Sequence, residues 1–149
     1  MNKLLSELLI FVPKRNMSDH AKAAATVRAF LKAKGIQASA RSESFAGGTS
    51  LNVTLIDAKR SQVKMVREME SLFEYGTFDP YTDSYLPKVL DKDNTLPKVK
   101  YFISQARFSE SMSAKIRYYL AVNGGGNERS REIYGYKDDA FWNAYEREV

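Results

Sequence analysis

The sequence predicts an α+β fold: a small, mainly antiparallel three-stranded sheet with helices packed on one face and extra helices at both ends. Three observations carry this reading. Residues 18–34 and 59–74 place apolar side chains at helical spacing. Residues 36–41, 51–55 and 98–108 alternate between two faces with period two. The segments follow in the order α-α-β-β-α-β-α-α, which suits helices laid against one side of a sheet.

Met1 to Val12 is apolar at Leu4, Leu5, Leu8, Leu9, Phe11 and Val12. Lys3 precedes this run, but Glu7 interrupts it, and Pro13-Lys14-Arg15-Asn16 stands where a signal-peptide cleavage site would need small residues. The run is also short of the roughly 20 residues that span a bilayer. An amphipathic helix that docks on the core or pairs with a second copy is expected, with no membrane partner. In the next helix Ser18 and Asp19 suit the N-terminus, and Gly35 suits the stop. Ala23, Ala24, Val27, Phe30 and Leu31 form its apolar face. His20 lies beside that face, where a half-buried, hydrogen-bonded ring is expected.

Ile36, Ala38 and Ala40 alternate with Gln37, Ser39 and Arg41, and Leu51, Val53 and Leu55 with Asn52 and Thr54. Residues 42–50 between them read as a glycine-containing hairpin loop. Val63, Val66, Met69 and Phe73 mark the following helix, and residues 75–97 read as a long aromatic and acidic loop. In the third strand Val99, Tyr101 and Ile103 are expected inside, with Lys98, Lys100 and Phe102 outside. Ser109 and Glu110 cap a helix that ends before Gly124-Gly125-Gly126, and a last helix holds Trp142 and Tyr145. One domain, 1–149, thus comprises an N-terminal extension (1–17), a core (18–122) and a C-terminal extension (127–149).

Composition narrows the chemistry. The 149 residues include no Cys and one His, which excludes thiolate chemistry and any site needing two histidines. Net charge is +5. Residues 1–75 carry 12 Lys/Arg against 7 Asp/Glu, and residues 76–149 carry 11 of each, so the whole excess lies in the first half. A polyanionic partner should meet that half. Asp91-Lys92-Asp93-Asn94 fails as a calcium loop, because Leu96 holds the turn position and Phe102 the final ligand position. No P-loop, nucleophile elbow or dinucleotide fingerprint is present. Asp79 and Asp83 flank Tyr81 and offer the one carboxylate pair worth weighing as acid and base; turn residues bonded to their own backbone are the simpler account.

The positive candidate is the outward sheet face. Arg41, Lys98, Lys100 and Phe102, with amide and hydroxyl neighbours, form the residue mix on which bases stack and phosphates are held. Gly47 and Gly48 are the second candidate, since glycines let backbone amides approach a phosphate. A plain Gly-Gly turn beside a solvated polar face accounts for the same residues.

Arg41-Ser42-Glu43-Ser44-Phe45-Ala46-Gly47-Gly48-Thr49-Ser50-Leu51-Asn52-Val53 resembles the Arg-Ser-x-Ser-Phe-x-Gly-Gly-x-Ser signature of a large polyvalent protein-associated domain. Phe78-Asp79-Pro80-Tyr81-Thr82-Asp83-Ser84-Tyr85 is similar to its second motif, and the strand and Ser-capped helix after it also look alike. The resemblance spans roughly residues 18–122. It implies a module of phages and conjugative elements, with suspected roles in countering host defence and handling incoming DNA, and it implies no catalytic residues. The expectation is a non-enzymatic phage or mobile-element protein of the bacterial cytoplasm, without cofactor or metal. It would bind nucleic acid through Arg41, Ser42, Phe45, Gly47, Gly48, Lys98, Lys100 and Phe102. The alternative is a protein-binding inhibitor of a host defence complex, of anti-CRISPR or anti-restriction type, anchored by Tyr81, Tyr85 and Trp142. A homo-oligomer through the Leu-rich N-terminal helix is a further expected partner. A hydrolase dependent on Asp79 or Asp83 comes last.

Overall fold

Helix α1 (Lys3–Leu9) begins where Asn2 Oδ1 accepts the Leu4 amide at 2.8 Å. The computed structural model describes residues 2–88 and 90–122; the C-terminal extension, with Trp142, lies outside the described residues. Leu4, Leu5 and Leu8 are buried against helix α2 (Asp19–Ala33), Phe11 meets Phe30 edge-on, and Glu7 pairs with Lys34 at 3.5 Å. Leu4, Leu5 and Leu8 are thus taken up by the chain's own core, the docked one of the two placements expected for this helix. Gly35 ends α2 with φ +72, a left-handed conformation that suits glycine.

Strands β1 (Ala38–Phe45) and β2 (Gly48–Ile56) form an antiparallel hairpin closed by Ala46-Gly47. The loop expected over 42–50 is mostly strand. Ser42, Glu43 and Ser44 have weak β propensity, but their backbone is held by the ladder to Leu51, Ser50 and Thr49. In α3 (Arg60–Phe73) the Gln62 side chain accepts the Lys59 amide at 2.8 Å. Val63, Val66, Met69 and Phe73 are buried, as their spacing predicts. Residues 75–97 are also more ordered than expected: β3 (Gly76–Asp79) and β4 (Ser84–Pro87) make a second, two-stranded sheet. Its pairing needs Gly76, because a Cβ there would run into the Leu86 carbonyl and the Tyr85 ring.

Strand β5 (Tyr101–Arg107) joins the edge of β2 in parallel, giving the order β1-β2-β5. The α+β class holds, but the sheet is evenly mixed. Crossing back through α3 returns the chain in the same direction, which only a parallel pairing accommodates. Helix α4 (Glu110–Val122) starts at Ser109, whose hydroxyl accepts the Met112 amide at 3.3 Å and whose amide donates to Asp57 Oδ1 at 2.8 Å.

The core sits between one sheet face and the helices. Ala40, Leu51, Val53, Leu55 and Phe102 point inward and pack with Val27, Phe30 and Leu31 of α2 and Val66, Met69 and Phe73 of α3. Phe102 is 4% exposed, and its ring centroid lies 5.6 Å from that of Phe73. This reverses the expected parity of the third strand. Val99 is buried as expected, but the chain bends at Lys100, so the inward position shifts from Tyr101 to Phe102.

Phe102→Ala should therefore destabilise the protein by about 3–5 kcal/mol in chemical denaturation, the cost of emptying a core aromatic site. A solvent-facing Phe102 would lose less than about 0.5 kcal/mol.

Candidate nucleic-acid interface

Because paired residues share a face, the β1–β2–β5 register gives directly the composition of the side that, among the described residues, no helix covers. Its rows are Glu43–Ser50–Tyr101, Arg41–Asn52–Ile103 and Ser39–Thr54–Gln105, followed at the end of β5 by Ile56–Arg107. Phe45, opposite Gly48, continues the same side of β1. This face is not merely a solvated polar surface. Phe45 is 45% exposed and Ile103 52%, and Arg41 and Arg107 are exposed at either margin. Gln105 Nε2 donates to Thr54 Oγ1 at 3.2 Å, a cross-strand bond that keeps this part of the face polar and ordered.

At the turn end, aromatic rings cluster. Phe45 and Tyr101 lie in nearly parallel planes (11°) with centroids 6.3 Å apart. Tyr85 meets Tyr101 edge-on at 5.6 Å, and Tyr75 meets Tyr85 edge-on at 5.5 Å. Tyr85 comes from the small β3–β4 sheet, and its hydroxyl donates to the Lys100 carbonyl at 2.7 Å, fastening that sheet to the start of β5. Burial pushes the Tyr85 phenol up to about 12, with the nearby Glu74 charge acting the same way, so it remains a donor through the neutral range.

Lys100 ties this cluster together. Its Nζ donates to the Gly47 carbonyl at 2.8 Å and sits 5.1 Å from the Tyr85 ring centroid and 5.4 Å from that of Tyr101. Its backbone amide donates to Thr49 Oγ1 at 3.2 Å. The lysine stem crosses directly over Gly48, whose φ is +142 and where a Cβ would lie 2.7 Å from Lys100 Cδ. Gly48 thus makes room for a side chain of this protein, and the Gly47 carbonyl is turned to that side chain's ammonium.

No protein-family model matches the chain, and no curated protein and no solved structure matches it.

The structure gathers Phe45, Gly47, Gly48 and Lys100 of the sequence-derived set at the turn end of this face, places Arg41 on the same side two rows along β1, and separates the others. Ser42 faces inward, 3.1 Å from His20 Nδ1, which gives the histidine the hydrogen-bonded, half-buried place expected of it. Phe102 is in the core. Lys98 precedes β5 and folds back on its own loop, donating to Asn94 Oδ1 at 2.7 Å and to the Leu96 carbonyl at 2.6 Å. Burial pulls its ammonium down to about 8, aided by the Lys88 charge and opposed by that of Asp19. Tyr101, Ile103 and Gln105 are the face residues that sequence reasoning missed. The available signal was that both parities of 101–107 read as half apolar, so alternation alone could not choose between them.

Asp79 caps its own turn: Oδ1 accepts the Tyr81 amide and Oδ2 the Thr82 hydroxyl, both at 2.9 Å. The Thr82 and Tyr81 hydrogen bonds hold its carboxyl below the ordinary aspartate range, so it is an anion rather than a poised proton donor. Asp83 takes a left-handed backbone, φ +50, in the same turn. Glu74 differs. Burial raises its carboxyl, against the effect of the Phe102 amide that it accepts at 3.4 Å, and with Glu70 it covers the outer edge of β5.

Because the fold depresses Lys98, its contribution to stability is present above the ordinary lysine value of 10.5 and is lost as pH falls through about 8. The Lys98 side-chain carbon resonances should accordingly titrate near 8 by NMR. A midpoint at the ordinary lysine value would place its amine in water.

Proposed function

We propose that the chain is a non-enzymatic binding module for single-stranded nucleic acid, with the uncovered sheet face as its platform. The observation that carries this is the exposed Phe45 ring stacked with the half-buried Tyr101, with exposed Ile103 beside them and the Arg41 and Arg107 charges at the margins, on a face turned away from the core helices. Unstacked bases lie on such rings, and guanidinium groups at the margins meet the phosphates. Lys100 serves the platform as a brace, holding the aromatic rings in place while its charge adds to the field. The resemblance of Arg41–Val53 and Phe78–Tyr85 to modules of phages and conjugative elements supports a mobile-element protein that acts against host defence in a bacterial cytoplasm. Among the described residues, no helix is long and apolar enough to cross a membrane.

A second reading, docking on a host defence protein, is favoured by the hairpin of the small sheet. Tyr81 is 96% exposed at its turn, and Phe78 is exposed on β3. Tyr85 no longer belongs to that surface, because its hydroxyl is committed to Lys100.

Titration with a short single-stranded oligonucleotide at two salt concentrations separates the readings. Phe45→Ala should weaken binding by about 1–3 kcal/mol, the usual cost of removing a stacking ring. Arg41→Ala should lower the slope of log affinity against log salt by about one. Tyr81→Ala should change neither. Salt-independent binding, or full affinity in Phe45→Ala, contradicts the platform; loss of binding in Tyr81→Ala alone moves the function to the hairpin.

A further inference from the structure

The outer edge of β1, with which no other described strand pairs, carries a feature that nucleic-acid binding does not use. β1 is an edge strand, and its pairing with β2 runs through its odd-numbered residues, as the Ile56 amide donating to the Gln37 carbonyl shows. The main-chain groups of Ala38, Ala40 and Ser42 therefore point away from the sheet. Beside them runs a groove of about 400 Å³ between α2 and β1, lined by Arg28, Leu31, Lys32, Ile36, Ala38 and Ala40 among others. Most edge strands carry a bulge, a proline or an inward charge against strand addition. Here, among the described residues, the cover is one side chain: Arg28 Nη2 donates to the Ala40 carbonyl at 2.8 Å. The opposite edge, on β5, carries two acidic side chains: Glu74 accepts the Phe102 amide at 3.4 Å and Glu70 the Ser104 hydroxyl at 2.7 Å.

We infer that β1 accepts an extended acidic peptide as a fourth strand, with carboxylates at alternate positions meeting Arg28 and Lys32. The match is one of spacing and charge. Arg28 and Lys32 stand one turn apart on α2, about 6 Å along its axis. Side chains at i and i+2 of a strand stand about 6.7 Å apart on one face. An Asp-x-Asp segment laid on β1 thus presents both carboxylates to both cations, while its backbone pairs with the outward-pointing main-chain groups of Ala38, Ala40 and Ser42. Arg28 then exchanges the Ala40 carbonyl for a carboxylate, a stronger, charge-assisted partner. A second copy fits less well, because pairing β1 with itself would bring two Arg28–Lys32 rows together.

The test is amide hydrogen exchange and NMR titration of the full chain with a synthetic alternating Val-Asp peptide, and with its Val-Lys counterpart. The Val-Asp peptide should slow exchange at Ala38, Ala40 and Ser42 by at least about tenfold, leave Tyr101 and Ile103 unshifted, and fail on Lys32→Glu, which should instead take the Val-Lys peptide. Lys32 is exposed, so that variant keeps the core intact. No protection at millimolar peptide, or equal protection by both peptides, overturns the proposal. Protection that grows with protein concentration in the absence of peptide overturns it in favour of a second copy.

Discussion

The packing of Phe102 on Phe73 decides which half of β5 faces solvent, and most of what the molecule can do depends on that choice. With Phe102 inside, alternation places Tyr101, Ile103 and Gln105 outside, beside Arg41 and Asn52 of the neighbouring strands. The choice is made two residues earlier, at the bend at Lys100. Val99 is buried and held by its amide donating to the Phe73 carbonyl at 2.9 Å, and Phe102 is buried again three residues later. A continuous strand cannot present both to one side. The bend resolves this, and it frees the Lys100 side chain to run back over Gly48.

Lys100 then joins three separate parts of the chain. Its ammonium reaches the β1–β2 turn at Gly47, its carbonyl holds the Tyr85 hydroxyl of the small sheet, and its amide holds Thr49 at the start of β2. Rings from Phe45, Tyr75, Tyr85 and Tyr101 gather around that joint. The aromatic end of the uncovered face is thus built by contacts distant in sequence. The core helices meet the other side of the sheet, so the two faces are free to serve different ends: one burial, the other recognition.

The helices were legible because their signal is local. Val63, Val66, Met69 and Phe73 are buried where their spacing puts them, and Gly35 ends α2 at the residue that predicts it. The β1 and β2 alternation was legible for the same reason, down to buried Ala40, Leu51, Val53 and Leu55. What local pattern could not supply was the partner of each segment. Ser42-Glu43-Ser44 reads as loop and is strand because β2 pairs with it. Gly76–Pro87 reads as loop because its strands are only four residues each, and their tie to Lys100 is visible only once β5 is in place. The third strand was misread because Val99 set a parity that the bend cancels, and with it went the placing of Lys98, Lys100 and Phe102. Arg41 points outward as its alternation predicts, whereas Phe45, expected in the loop, joins that side only through its pairing with Gly48.

The most direct test of this account is NMR shift mapping of the intact protein with a short oligothymidylate at low salt. The account predicts that the perturbed residues are Arg41, Phe45, Asn52, Tyr101, Ile103 and Gln105, one face across three strands, while Ser42, Phe102 and Lys98 stay put. Perturbations confined to the Phe78–Tyr85 hairpin, or none at all, would contradict it.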